Sequence, residues 1–254
     1  MYAWRARIGL IEPTHRGKTF AFWYKNAPPG VEIVPTFVGF RKGEAQGFIQ
    51  GLTRAEELAM DLKAVGCQII TVCGTPPFLL KGLDFERQWG EELSSRTGLP
   101  VITPMEPHAI ALEALGVRKV AVATYYHDEL NQAIVDYLAR FGIEALMMGG
   151  FSLAGEGEAL YSTPMMALDE VSFMHVYRYC KRGLERLGRA VDAIYINGSG
   201  WDAAPAVELL ERDLGIKVVW AMAADMWLTY HKLAISNPVS GYGSLLKGAY
   251  VPNK

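Results

Sequence analysis

Four short stretches of this chain carry side chains and backbone able to do chemistry. Cys73-Gly74-Thr75-Pro76 follows an apolar run. Its small residues let backbone N–H groups approach a ligand, and Thr75 adds a hydroxyl, so the segment reads as a cradle for an oxyanion or carboxylate. The plainer alternative is a tight strand-to-loop turn. Asn197-Gly198-Ser199-Gly200 presents donors in the same way. It lacks the nucleophile-elbow pattern and has no convincing histidine and acid in the usual hydrolase order. In Thr124-Tyr125-Tyr126-His127-Asp128, the Tyr126 hydroxyl can donate to a carboxylate or enolate, and His127 can shuttle a proton. Asp128 reads as the N-cap of the following helix. Glu12-Pro13-Thr14-His15-Arg16-Gly17 offers Glu12 or His15 as acid or base and Arg16 as partner for an anion, against a simple solvent-facing loop.

These stretches recur in order along a chain that repeats itself. Arg7-Ile8-Gly9-Leu10-Ile11 is echoed by Lys119-Val120-Ala121-Val122-Ala123, and Cys67–Thr75 by Asp192–Gly200. Gly98-Leu99-Pro100-Val101-Ile102 is echoed by Gly215-Ile216-Lys217-Val218-Val219. Short apolar runs predict strands at Ile8–Ile11, Val31–Val38, Ile69–Val72, Val101–Thr103, Val120–Ala123, Ala145–Met148, Ile194–Ile196 and Val218–Ala221. Helical spacing predicts helices at Thr53–Val65, Phe85–Thr97, Pro107–Leu115, Glu129–Phe141, Asp169–Leu187, Ala204–Leu214 and Ala223–Ala234, with the tail as loop. Strand–helix alternation implies an α/β fold with parallel strands and helices on both sheet faces. Ligands bind beyond the carboxyl ends of such strands. The four polar stretches sit at those ends and are expected to meet in a cleft between two lobes, residues 1–104 with 222–254, and 105–221.

The 254 residues carry a net charge of -2, which offers no basic field for nucleic acid or an anionic membrane. No apolar run matches a membrane span, and Cys67, Cys73 and Cys180 form no metal or disulfide pattern, so a cytoplasmic protein is expected. No dinucleotide, P-loop, HExxH or EF-hand motif is present, which points to chemistry without nucleotide or metal. His175, His231 and Cys180 fall on predicted helices and read as packing residues. Trp201, Trp220 and Trp227 read as either an apolar pocket wall or core.

The strand-and-proline opening at Arg7–Pro13, Gly74-Thr75, Ala123-Thr124 with Tyr126, Leu214-Gly215 and Gly241-Tyr242-Gly243 resemble the Asp/Glu racemase superfamily. The likeness is to its arylmalonate decarboxylase and maleate isomerase branch. It implies two pseudo-symmetric, four-stranded parallel α/β units around an active cleft, and chemistry that needs no cofactor. In that superfamily racemases and isomerases use one cysteine from each half, and the decarboxylases keep only the second. Carried over, those positions fall on Gly74 and Gly198 here, and the step from Gly198 to Gly215 fits without a gap. Cys73 stands one residue early, where an extended chain turns it to the opposite side. Pro76 replaces a second small hydroxyl and removes an N–H.

The reading that follows is a cofactor-independent lyase, a decarboxylase or related C–C cleaving enzyme, acting on a small carboxylic acid through an enolate. Its candidate catalytic residues are Tyr126, His127, Ser199, Glu12 and Cys73. Its candidate substrate contacts are Thr14, His15, Gly74, Thr75, Gly198 and Gly200. The alternatives are a racemase or cis-trans isomerase using Cys73, or a non-catalytic small-carboxylate-binding protein. A small carboxylate is the expected partner, and a homo-oligomer is compatible with the sequence.

Overall fold

Strands form where the chain runs apolar without interruption, because a parallel sheet covered on both faces offers no solvent side for polar residues. A computed structural model describes residues 3–15, 18–40, 45–151 and 169–248, without the side chains of 45–49. The first half runs β1 (Ala6–Glu12), α1 (Lys18–Asn26), β2 (Val31–Phe37), α2 (Ala45–Ala64), β3 (Ile69–Val72), α3 (Pro76–Thr97), β4 (Val101–Ile102) and α4 (Glu106–Ala114). The second runs β5 (Lys119–Ala123), α5 (Asp128–Ala139), β6 (Glu144–Met147), α6 (Phe173–Leu187), β7 (Ala193–Ile196), α7 (Ala204–Leu214), β8 (Lys217–Trp220), α8 (Ala221–Lys232) and α9 (Ser244–Lys247).

The strands form two parallel sheets of the same order, β2-β1-β3-β4 and β6-β5-β7-β8. The expected pair of four-stranded units is therefore present, and the sequence echoes mark equivalent strands. Helices α4 and α8 pack on each other between the sheets, α4 also against β8 and α8 also against β3 and β4. Among the described residues, no helix is long and apolar enough to cross a membrane.

Several boundaries differ from the periodicity. Helix α1 lies where no element is predicted, because only Thr19, Phe22 and Trp23 of its nine residues are buried and the apolar stripe is narrow. Thr53 lies inside α2, eight residues past its start, so it does not cap it. Helix α3 begins at Pro76, not Phe85. Proline fits a first turn, and the break at Gly82 (φ 81°) divides that turn from the rest. Helix α6 starts at Phe173 rather than Asp169, closed by a reciprocal box between Ser172 and His175. The tail holds the single turn α9.

Candidate active site

The two chemical turns are built alike. Ile8 sits opposite Ile69 in the first sheet and Val120 opposite Ala193 in the second. Five residues beyond each pair lie Pro13 with Gly74, and Tyr125 with Gly198. Just before the glycines, the Cys73 N–H donates to Ile11 O (2.8 Å) and the Asn197 N–H to Ala123 O (3.0 Å). Both glycines then take positive φ, +108° at Gly74 and +102° at Gly198, a conformation that costs other L-residues energy. A Cβ on Gly74 would lie 3.0 Å from Pro13 Cβ, and one on Gly198 would lie 2.3 Å from the Tyr125 ring. Neither turn is shaped for a cysteine. The Tyr125 hydroxyl also accepts the Gly200 N–H (3.0 Å), which fixes the second turn.

Across the lobes, Thr75 Oγ1 lies 3.0 Å from the Tyr126 hydroxyl. Asn197 Oδ1 faces both, 3.3 Å from Thr75 Oγ1 and 3.5 Å from the Tyr126 hydroxyl. All three residues are buried. Tyr126 is held from behind. Its N–H donates to Thr124 Oγ1, the Thr124 hydroxyl donates to Asn131 Oδ1 (2.5 Å), and Asn131 Nδ2 donates to Tyr126 O (3.0 Å). The amide oxygen of Asn197 thus occupies the place of an acceptor between two hydroxyls, which is where a carboxylate or enolate oxygen would bind.

Beneath this cradle lies a second buried polar group. The Tyr195 hydroxyl is 2.7 Å from His108 Nδ1, and His108 Nε2 is 3.1 Å from Asp225 Oδ1. The Cys73 thiol points to Asp225 Oδ2 at 4.0 Å. Glu12 is 1% exposed, and its Oε1 has no hydrogen-bond partner among the described residues. Burial pushes the Glu12 carboxyl well above its ordinary value; a hydrogen bond from Thr19 opposes the rise, and the Asp225 carboxylate adds to it. Burial likewise raises the Cys73 thiol, helped by Glu12 and Asp225, and raises Asp225 against the pull of His108.

The structure therefore gathers Thr75, Tyr126 and the Gly198 turn into one site and sets Glu12 and Cys73 close below. Ser199 lies at the turn, half-buried. His127, half-buried, is the N-cap residue of α5 in place of Asp128, which falls inside the helix. Thr14 is half-buried. His15 is exposed and lies against Phe37 and Gly39 at the end of β2. Arg16 falls outside the described residues. The three tryptophans belong to one core, Trp201 and Trp220 inside it and Trp227 packed against it. Trp201 packs on Tyr125, Trp220 on Phe22 and Trp227 on His231. Asn197, His108, Tyr195 and Asp225 are site residues the periodicity passes over. The available signal is a lone acid inside the apolar run Ala221–Leu228.

The arylmalonate decarboxylase family model matches residues 8–246. An arylmalonate decarboxylase of Bordetella bronchiseptica is 26% identical over 220 residues, 87% of either chain. A maleate isomerase of Geobacillus stearothermophilus is 20% identical over 202 residues, 77% of this chain and 76% of its own. The structure of unliganded arylmalonate decarboxylase superposes with a TM-score of 0.78 at 25% identity, over 95% of this chain and 98% of that one. The maleate isomerase Iso from Pseudomonas putida S16 gives 0.82 at 21% identity, over 96% and 99%. With its twin sheets and paired glycine turns, and matched over nearly its whole length, the chain belongs to the arylmalonate decarboxylase family, in the decarboxylase and maleate isomerase branch of the Asp/Glu racemase superfamily.

Proposed function

We propose that this protein is a cofactor-free enzyme that removes a carboxyl group from a small carboxylic acid, or makes a related C–C cleavage, through an enolate. The observation that carries the reading is the Thr75–Tyr126 contact of 3.0 Å with a single acceptor facing both hydroxyls. A substrate carboxylate displacing the Asn197 oxygen takes both donors. N–H groups of the Gly198–Ser199 turn complete the cradle. As the C–C bond breaks, charge grows on that carboxylate, so the donors hold the transition state more tightly than the ground state.

Isomerisation by thiol addition is the competing reading, since a maleate isomerase is among the relatives. It needs a thiolate beside the double bond. Cys73 is buried, turned toward Asp225 and held as a thiol, while Gly74 and Gly198 have no side chain to supply a thiolate. The geometry favours cleavage.

The test offers the purified protein phenylmalonates and maleate in parallel and follows carbon dioxide and fumarate. Carbon dioxide from the malonate is expected. Removing one donor, by Tyr126→Phe or Thr75→Ala, is expected to lower kcat about 10²–10³-fold. Full turnover in the combined Tyr126→Phe, Thr75→Ala and Ser199→Ala variant would end this reading. Ligand binding without product across a broad carboxylic-acid panel would assign a binding protein instead.

A further inference from the structure

The two lobes differ in chemistry at matched positions. Cys73 and Asn197 are counterparts, each one residue past its strand and bonded through its N–H to the neighbouring strand. One residue past those acceptors stand Glu12 and Thr124. In the second lobe the matched pair is Thr124 and Asn197, neutral groups engaged in the cradle and its support. In the first lobe it is Glu12 and Cys73, two groups that release protons. The Glu12-Pro13 step also lies directly on the glycine turn that leads to Thr75, since Pro13 packs where a Gly74 side chain would be. Among the described residues, Glu12 Oε1 is the one buried carboxyl oxygen with no hydrogen-bond partner.

We propose that Glu12 is the proton donor of the reaction, delivering its carboxyl proton to the enolate carbon from the first-lobe side, with Asp225, bonded to His108 and facing the Cys73 thiol, as its positioning residue. The proposal rests on the enolate reading of the same cleft. The bond between the α-carbon and the leaving carboxylate breaks, and carbon dioxide departs. The electron pair stays on the α-carbon and spreads into the carboxylate held by Thr75 and Tyr126. The Glu12 O–H bond then breaks as the new C–H bond forms, and the Glu12 carboxylate recovers its proton from water. No oxidant or reductant enters.

A donor must be protonated before the enolate forms, and a buried carboxyl meets that condition. Burial opposes its ionisation most, the Asp225 charge adds to that, and the hydrogen bond from Thr19 favours it. Two other candidates are placed worse. His15 is exposed over Phe37, and Ser199 is an alcohol, too weak an acid to rival a carboxyl. Tyr125 fills the space beside Gly198 on the opposite side, so protonation there has no matching acid.

The probe is 2-methyl-2-phenylmalonate, whose product is chiral. Glu12→Gln is expected to lower kcat about 10²–10⁴-fold. Its residual product should be racemic, with inhibition by phenylacetate changed less than about threefold if the cradle is intact. Glu12→Asp, which keeps an acid on a shorter arm, should recover part of the rate and the wild-type enantiomer. Asp225→Asn should move the alkaline fall of kcat to lower pH, a shift that a merely structural role would not give. Infrared spectra at pH 7 should show a protonated-carboxyl band that Glu12→Gln abolishes. A Glu12→Gln protein with wild-type enantiomeric excess and more than a tenth of the rate would overturn the donor role, as would an unchanged infrared band. A wild type that releases no carbon dioxide from any arylmalonate would overturn the proposed function, and the donor role with it.

Discussion

A cysteine introduced at Gly198 has nowhere to put its Cβ, because the Tyr125 ring is already 2.3 Å from that point and the backbone sits at φ +102°. At Gly74 the nearest atom is Pro13 Cβ at 3.0 Å, a clash that a small shift relieves. Gly198→Cys should therefore cost about 2–4 kcal/mol of stability, overpacking and backbone strain together, and Gly74→Cys about half of that. Urea unfolding of the two variants compares them. Equal losses would mean that Tyr125 moves aside freely. At Glu12 the relevant quantity is the proton. Below the ordinary carboxyl value of 4.5 the side chain is neutral whether folded or not. As pH rises past it, the unfolded chain ionises there and the folded chain resists, so stability is lost until the raised folded value is reached. Glu12→Gln lacks this term. Its melting temperature relative to wild type should climb from pH 4 to 7, by up to about 1.4 kcal/mol per pH unit in free energy. A constant difference would mean that Glu12 ionises normally.

Strands were legible from sequence and the site only half so, for a reason visible in particular elements. Strand β3 is buried at all four positions and β7 likewise, so the apolar run is the signal itself. The turns after them contain Thr75, Gly198 and Ser199, which small-residue spacing singles out. Asn197 hides as the last residue before a glycine, and Asp225 and His108 hide inside helices that otherwise read as core. Their roles come from which helix meets which sheet, and local periodicity does not encode that. The same limit applies to Asn131 on α5, which ties the β5–α5 loop through Thr124 and the Tyr126 carbonyl. Asn131→Ala strands both groups in a buried place and should cost about 1–3 kcal/mol, with kcat falling as Tyr126 loses its seat. A thermal melt and a turnover assay check this. A destabilised protein with unchanged kcat would show that Tyr126 keeps its position without α5.

Between the halves the ties are polar as well as apolar. Glu86 on α3 accepts the Tyr137 hydroxyl of α5 at 2.7 Å, and its other oxygen accepts the Met105 and Glu106 N–H groups at the start of α4. Thr71 of β3 meets Thr229 of α8 at 2.8 Å. Tyr137→Phe leaves a buried Glu86 oxygen without its donor and should destabilise the whole molecule by about 1–3 kcal/mol. One cooperative unfolding transition shifted to lower urea is the expected result. Two separate transitions would show lobes that melt independently. The pair His108 and Asp225 has a further meaning. His108 follows Val101 by seven residues and Asp225 follows Val218 by seven, and those valines pair with equivalent residues of β3 and β7. The two side chains are thus one position seen twice, meeting at the pseudo-twofold axis. A homodimer made from either half-sequence would set histidine against histidine, or aspartate against aspartate, at its centre. Severed halves of this protein should consequently recognise each other and reject their own kind, because the molecular midpoint is complementary only when the two copies are unlike.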